Sequence, residues 1–140
     1  MPSTHQSITV NRPIGDVWRT IRNFHDLSWA PNVITSVENT GNTDGESVGA
    51  KRLLNGVFHE TLQEVDADNY RFSYSIDDGP SPVSSQDVSN YTGVVELSCT
   101  NEGETLVVWT SSWESSSEDA VDFCHRIYVA FLNDLVGSMG

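Results

Sequence analysis

Residues 49–66 read GAKRLLNGVFHETLQEVD, and this stretch predicts a β-hairpin that turns at Asn55-Gly56. Both central positions of a type I′ turn require positive φ, which asparagine and glycine adopt more readily than other residues. Apolar and polar residues alternate along the second arm, as they do in a strand that buries one face. We therefore expect antiparallel strands at 49–54 and 57–66.

The apolar face of this hairpin carries two charged residues. Glu60 shares a face with Phe58 and Leu62. On the neighbouring strand, Arg52 shares a face with Leu54, two residues further on. An isolated carboxylate on that face would lose several kcal/mol of hydration or take up a proton, so we expect Arg52 to pair with Glu60. The pair can serve structure alone, anchor a ligand or take part in acid/base catalysis, and the sequence leaves all three open.

Two helices bracket the remaining strands. Pro13 and an apolar stripe behind it predict a helix over 13–23, after a short strand at 5–10. Residues 117–137 return to helical spacing behind a capping SSSED start, with a stripe of Ala120, Phe123, Cys124, Ile127, Phe131 and Leu135. Alternation with a period of two predicts further strands at 33–39, 70–77, 91–100 and 105–114.

This order of elements predicts an α+β fold with a curved antiparallel sheet of six to seven strands. One apolar face of such a sheet needs a cover, and the long C-terminal helix is the amphipathic element left to supply it. We interpret Trp109 and Trp113 as sheet core. We also expect several small or polar residues on the inner face, which would leave a hollow core suited to a small molecule: Arg52, Glu60, Gly93, Thr110 and Ser112.

Composition limits the possible partners. The chain has 140 residues, enough for a single domain over 1–140, and a net charge of -13. That charge argues against nucleic acid and anionic membranes as partners, and no apolar run is long enough for membrane insertion. The start MPSTHQSITV lacks the features of a secretion signal, which favours the cytoplasm, and we expect a monomer or weak homodimer.

Neither a metal nor a cofactor is expected. Cys99 and Cys124 are far apart without CxxC spacing, which predicts two reduced, buried thiols. No phosphate-binding, dinucleotide or GxSxG motif is present. The histidines have unrelated spacings and do not predict a metal site: His5, His25, His59 and His125.

Five stretches, taken in order, resemble the polyketide cyclase/dehydrase branch of the START-like, or birch-pollen-allergen-like, superfamily. They span roughly residues 5–137: PIGDVWRTIRNF at 13–24, DLSWAPNV at 26–33, GAKRLL at 49–54, HETLQEVDADNYRFSYSI at 59–76 and NYTGVVEL at 90–97. The resemblance implies a helix-grip fold. It also implies an internal cavity for sterols, other lipids, plant hormones, quinones or aromatic polyketides.

The resemblance also assigns positions to individual residues. It places Glu60 at a strand carboxylate that faces the cavity and Arg52 at a strand arginine common in this branch. The Asn55-Gly56 turn and the loop at 77–90 would flank the entrance, although this loop is longer than in the related hormone receptors and lacks their basic latch residues. The implied ligand-binding residues, together with the hairpin positions, are Arg52, Leu54, Phe58, Glu60, Leu62, Tyr74, Ile76, Tyr91, Phe123, Ile127 and Phe131.

Two segments near the expected cavity have uncertain roles. FHDLSWAPNV at 24–33 is either a hydrophobic plug or a rim of the cavity, with Trp29 and Pro31 bracing one end of the fold. The loop at 77–90 contains stiffening prolines and flexible serines, and we hypothesise that it closes over bound ligand.

The sequence therefore predicts a protein that binds a hydrophobic or amphipathic small molecule with its polar end near Arg52 and Glu60. A polyketide cyclase, aromatase or dehydratase that uses Arg52, Glu60 and Tyr91 is the enzymatic alternative. A third possibility is a non-catalytic interaction module whose cavity is filled by side chains.

Overall fold

The computed structural model describes residues 2–139. In chain order the elements are β1 (Ser3–Val10), α1 (Ile14–Ile21), β2 (Val37–Asn39), β3 (Lys51–Leu54), β4 (Phe58–Asp66), β5 (Arg71–Asp78), β6 (Ser89–Cys99), β7 (Thr105–Glu114) and α2 (Asp119–Met139). The strands form one antiparallel sheet in the order β1-β7-β6-β5-β4-β3-β2. With α2 packed along the inner face, this is the predicted helix-grip α+β fold, which is confirmed.

Several predicted elements are shorter in the structure than the sequence indicates, among them the first strand of the hairpin, which is Lys51–Leu54 rather than 49–54. The first helix ends at Ile21 rather than residue 23, with Arg22 as its C-cap. The strand expected at 33–39 is reduced to β2, because the backbone N–H groups of Val33 and Ile34 both donate to the carbonyl of Ala30. That turn uses the donors that a strand would need, so sheet pairing begins only at Val37.

The hairpin of β3 and β4 is confirmed. Asn55 and Gly56 both have positive φ, at 54° and 71°, and Arg52 lies directly opposite Glu60 in the register. The side chain of Asn55 also accepts a hydrogen bond from the backbone N–H of Thr35 at 2.7 Å and donates to the carbonyl of Val33 at 2.9 Å. The turn is therefore tied to the segment that follows α1, which places both at the same end of the sheet.

The inner face of β7 differs from the prediction at two positions. Burial alternates along the strand so that Trp109, Ser111 and Trp113 face the core. Thr110 and Ser112 consequently lie on the opposite face, and the expectation that they point inward is wrong. The alternation runs through this part of β7 without a bulge, so Ser111 is the small polar residue that reaches the core.

The two cysteines differ in burial. Both cysteines are free, but only Cys124 is buried, whereas Cys99 is exposed because it lies at the end of β6. The expectation of two buried thiols is therefore wrong for Cys99.

Within residues 2–139, neither helix is long and apolar enough to cross a membrane.

Gly93 sets the distance between the sheet and one aromatic side chain. It lies opposite Tyr74 in the pairing of β5 and β6, and a Cβ at this position would overlap the ring and hydroxyl of Tyr74. Glycine is needed here for close approach, since the ring of Tyr74 lies where a Cβ would be.

We expect Gly93→Ala to lower the free energy of unfolding by about 1–3 kcal/mol, because the methyl group overpacks the site of Tyr74. Gly137→Ala is the matched control. Gly137 is an exposed position of α2 with open space around it, so the same change should raise stability by about 0.5–1 kcal/mol through helix propensity. Denaturant unfolding measures both. A Gly93→Ala protein as stable as the wild type would contradict the close approach.

Candidate functional site

A cavity of about 140 Å³ lies between α2 and the inner face of the sheet. Its lining comes from the segment after α1, from β3, β4, β5, β6 and β7, from the turn at Asn55 and the loop at Val83, and from residues 123–131 of α2. Most of these side chains are apolar, and a few polar groups converge on the space. This combination of an apolar wall with few polar groups is typical of small-molecule sites.

The two ends of the cavity differ in polarity. Half-buried apolar residues mark the mouth: Val33, Ile34, Phe58, Ile76, Phe123 and Ile127. Apart from the half-buried Asn55 of the hairpin turn, the polar lining residues are fully buried: Arg52, Glu60, Tyr74, Tyr91, Trp109, Cys124 and Tyr128. A ligand in this space would therefore meet hydrocarbon near the mouth and hydrogen-bonding groups at the deep end.

Arg52 and Glu60 form a buried ion pair, as the strand alternation predicts. Arg52 Nε donates to Glu60 Oε1 at 2.8 Å, and Arg52 Nη2 lies 2.6 Å from the same oxygen. The two side chains are only 5% and 7% exposed. Burial raises the pKa of Glu60, and the guanidinium opposes that rise.

Phe24 completes the surroundings of this guanidinium. Arg52 Nη1 donates to the carbonyl oxygen of Phe24 at 2.9 Å, and the guanidinium carbon lies 3.7 Å from the centroid of the Phe24 ring. Cation–π contact and hydrogen bonding thus come from one residue of the segment after α1. The remaining Glu60 oxygen, Oε2, accepts no hydrogen bond from residues 2–139 and is the oxygen open to a ligand.

Three tyrosines form a hydrogen-bonded group at the deep end, which we call the tyrosine cluster: Tyr74, Tyr91 and Tyr128. Tyr74 Oη donates to Tyr128 Oη at 2.8 Å, and the hydroxyls of Tyr128 and Tyr91 are 2.5 Å apart. Trp109 Nε1 donates to Tyr74 Oη at 3.0 Å. Burial is the main cause that raises the pKa of all three phenols, so they stay neutral at physiological pH and act as hydrogen-bond donors.

All of the predicted ligand-binding residues except Leu62 line this cavity: Arg52, Leu54, Phe58, Glu60, Tyr74, Ile76, Tyr91, Phe123, Ile127 and Phe131. Leu62 is buried on the same face, but it lies one inward position further from the hairpin turn, where side chains close the space. Leu62 therefore does not border the cavity, and its role in ligand binding stays a prediction. Period-two alternation identifies the inner face of a strand but does not show how far the cavity extends along it.

Several lining residues are not predicted by the sequence patterns. Trp109 was interpreted as sheet core, yet it lines the cavity, while Trp113 is core and stacks on Tyr91 with centroids 5.2 Å apart. Tyr128 was absent from the helical stripe, although it follows Cys124 by one turn on the same face of α2. That spacing of four residues was the available signal for Tyr128.

Most of the stretch at 24–33 serves as a plug, and its last residue, Val33, lies at the cavity rim. Phe24 and Trp29 are buried, and Trp29 packs against Phe131 with centroids 5.7 Å apart. The lining residues from this region are instead Val33 and Ile34. Pro31 is exposed, so its predicted bracing role is wrong.

The loop at 77–90 packs over the cavity. Val83 is fully buried and lines the cavity. Two carboxylates organise the loop: Asp78 Oδ1 accepts from the backbone N–H of Ser85 at 2.9 Å, and Asp87 Oδ2 accepts from the hydroxyls of Ser81 and Ser84, each at 2.7 Å. These hydrogen bonds lower the pKa of both carboxyls. Closure of the loop over a ligand stays a prediction.

Comparisons with known proteins extend the resemblance seen in the sequence. A family model described as polyketide cyclase/dehydrase and lipid transport matches residues 1–139. The chain is similar to a solved protein from Nitrosospira multiformis at 44% identity and a TM-score of 0.97, over 99% of this chain and 97% of that one. It is also similar to XoxI from Bacillus cereus at 27% identity and a TM-score of 0.80, over 99% and 96%.

A solved protein from Thermobifida fusca is similar as well, at 25% identity and a TM-score of 0.81, over 97% of this chain and 91% of that one. No curated protein matches the chain. The matches therefore extend over nearly the whole chain.

The tyrosine cluster makes stability depend on pH in the alkaline range. Burial raises the folded-state pKa of these phenols above the unfolded value of about 10. Their contribution is fully present below that pH and is lost as the pH rises above it, because the unfolded state then releases protons that the folded state keeps. We expect the free energy of unfolding to fall by about 1.4 kcal/mol per pH unit for each buried phenol.

Denaturant titrations on either side of that pH measure this fall, and Tyr91→Phe should make it shallower by the contribution of one group. Tyrosinate absorbance should rise together with unfolding. Ionisation of the cluster in a protein that is still folded would contradict the burial.

Proposed function

The chain belongs to the polyketide cyclase/dehydrase and lipid transport family, and from that premise we propose that it binds a small hydrophobic or amphipathic molecule between α2 and the sheet. The observation that carries the proposal is the cavity of about 140 Å³ with an apolar mouth and a polar deep end. A filled core would have suited a pure interaction module, so this cavity disfavours that alternative.

The volume limits the size of the ligand. An engineered apolar cavity of roughly 150 Å³ holds one benzene, whereas sites for drug-sized molecules span about 300–1,000 Å³. The cavity of about 140 Å³ therefore suits one substituted ring or a short chain. A sterol or a multi-ring polyketide would have to extend through the mouth or displace the loop at 77–90.

The polarity sets the orientation of the ligand. Hydrocarbon fits between Phe58, Phe123 and Ile127 near the mouth, while a polar end reaches Arg52, Glu60 and the tyrosine cluster. Burial of apolar ligand surface supplies most of the affinity, and the deep polar groups supply selectivity. In our proposal, each predicted ligand-binding residue that lines the cavity either contacts the hydrocarbon part of the ligand or anchors its polar end.

Other aspects of the proposal rest on composition. We propose that residues 1–140 act as one domain, as a monomer or weak homodimer, without nucleic acid, metal or cofactor. The net charge of -13 supports the exclusion of nucleic acid, and two free cysteines suit the reducing cytoplasm.

Filling the cavity should abolish binding. Ile127→Trp places a larger side chain in the lining, so we expect the affinity for single-ring aromatic compounds such as toluene to fall at least tenfold. Ala130→Trp is the matched control, because Ala130 is an exposed position on the same helix and should leave binding unchanged. Calorimetric titration measures affinity, and native mass spectrometry followed by extraction identifies any co-purified molecule. Equal toluene binding by both variants, or none by the wild type, would refute the cavity site.

A specific observation also favours an enzymatic alternative. Glu60 is a buried carboxylate with a raised pKa and one oxygen, Oε2, open to the cavity, which is the environment of a general acid or base. The candidates for a cyclase, aromatase or dehydratase activity remain Arg52, Glu60 and Tyr91, with the phenol as a donor to a substrate carbonyl.

Glu60→Gln separates the two functions. A catalyst that uses Glu60 should keep ligand affinity within about threefold and lose turnover by about 100-fold or more, because the amide cannot transfer the proton. A binding protein that uses Glu60 as an anchor should instead lose affinity. The measurements are ligand titration and product formation with the molecule identified by extraction. Unchanged affinity together with unchanged turnover would exclude both roles for Glu60.

A further inference from the structure

The sheet has two edge strands, and they differ in how well they are protected. Proteins protect edge strands from pairing with other chains by short length, charged side chains, prolines or bulges. At one edge, β2 has only three residues and carries Glu38. At the other edge, β1 has eight residues, contains neither a charged residue nor a proline, and pairs with β7 without a register shift. The edge of β1 is therefore the one open to another strand.

The backbone groups at this edge can be identified from the pairing with β7. The backbone N–H of Trp113 donates to the carbonyl of Pro2 at 3.2 Å, and the carbonyl of Trp109, opposite Gln6, accepts from Gln6 Nε2 at 2.5 Å. Even-numbered residues of β1 thus direct their backbone groups toward β7, and strand alternation directs those of the odd-numbered residues away from it. The outward set is Ser3, His5, Ser7 and Thr9.

These outward groups have no partner elsewhere in residues 2–139. None of the backbone hydrogen bonds of turns and loops uses an N–H or C=O of the outward set. The helix α2 reaches β1 from the inner face, where His125 Nδ1 lies 2.9 Å from Gln6 Oε1. The side chains of the outward set lie on the opposite, outer face and are exposed. The edge therefore presents a row of unpaired donors and acceptors.

The charge pattern indicates which partner suits this edge. In the part of the chain that the structure describes, β1 is the one strand without Asp, Glu, Lys or Arg. Its outer-face neighbours on β7 are also uncharged: Leu106, Val108, Thr110 and Ser112. Two copies of a chain with a net charge of -13 repel each other over most of their surface. Contact through β1 brings no charged side chains of the two strands together.

We propose that β1 pairs antiparallel with β1 of a second copy, so that two protomers form one continuous sheet around a two-fold axis. The outward set fixes the register: Ser3 lies opposite the partner's Thr9, and His5 lies opposite the partner's Ser7. Each such pair exchanges two hydrogen bonds, so the two copies satisfy all outward groups with about eight bonds. The protected β2 edges stay free, and the assembly therefore closes as a dimer instead of growing into a fibre.

This interface is independent of the proposed binding function, because no residue of the outward set lines the cavity. A single strand pair buries little surface, so we expect a weak dimer with a dissociation constant on the order of 0.1 mM. Salt should strengthen it, since screening reduces the repulsion between two acidic protomers whose contact strands are uncharged.

Ser7→Pro removes an outward N–H and tests the edge directly. The N–H of Ser7 is not used in the pairing with β7, so an edge proline is compatible with the fold. We expect dimer affinity to fall roughly tenfold or more, because the symmetric contact loses this bond twice. Ser7→Ala is the matched control, since it keeps the N–H and should dimerise like the wild type. Sedimentation equilibrium measures the affinities, and circular dichroism checks the fold.

A second pair of variants tests the register. His5→Glu with Ser7→Lys places opposite charges directly across the interface at two symmetric positions, and we expect the dimer to tighten about threefold or more. Ser3→Glu with Ser7→Lys has the same net charge, but its charges are not directly opposite each other. It is therefore the matched control and should show the smaller effect.

Each outcome decides one point. A wild-type protein that stays monomeric up to about 1 mM in high salt would overturn the interface. So would equal dimerisation of Ser7→Pro and Ser7→Ala, or a dimer that salt weakens. Equal tightening by the two charge-pair variants would overturn the register. If Ser7→Pro does not fold, the charge-pair variants decide. Toluene titration of the Ser7→Ala protein tests the binding function separately, and its failure leaves the dimer interface intact.

Discussion

A buried guanidinium loses its hydration and needs an opposite charge and hydrogen-bond acceptors within the protein. Arg52 has both. Glu60 on the adjacent strand supplies the charge, and Phe24 supplies both a carbonyl acceptor and a ring face. Removing one partner of such a pair typically costs about 3–5 kcal/mol, because it leaves a buried charge without compensation. Arg52 therefore fixes the register of β3 against β4 and holds the segment after α1 against both.

The same arrangement explains why the cavity is small. The segment held by Arg52 brings Trp29 against Phe131, and Trp109 lies between Phe131 and Tyr128, with centroids 5.1 and 4.7 Å away. Large rings thus fill the deep part of the space between sheet and helix. What remains open is the cavity of about 140 Å³ next to the hairpin turn, with half-buried apolar side chains at its mouth and the tyrosine cluster at its deep end.

The parts of the structure that the sequence predicted are those encoded locally. The Asn55-Gly56 turn, the alternation that pairs Arg52 with Glu60 and the long C-terminal helix each follow from neighbouring residues. The placement of Leu62 and of Trp109 relative to the cavity depends instead on how the helix lies across the sheet. The contact between Thr4 and Ser111, 107 residues apart in sequence, follows from the pairing of the two terminal strands, and no local pattern indicates it.

Binding and catalysis place different demands on the polar end of this cavity. Neutral phenols can donate a hydrogen bond to a ligand or accept one from it, and an indole N–H can donate, so binding needs no change of charge in these groups. Proton abstraction needs a base, and Glu60 is the carboxylate at hand. Its Oε1 is occupied by two guanidinium nitrogens, so only Oε2 is open to a substrate.

The guanidinium weakens Glu60 as a base while burial strengthens it, and the balance depends on how much water the occupied cavity retains. A ligand that displaces solvent from the deep end would strengthen the hydrogen bond from the tyrosine cluster and the basicity of Glu60 together. The binding function is therefore the simpler consequence of the geometry, and catalysis would require a substrate whose reacting proton lies within reach of Oε2 while its carbonyl faces the tyrosines.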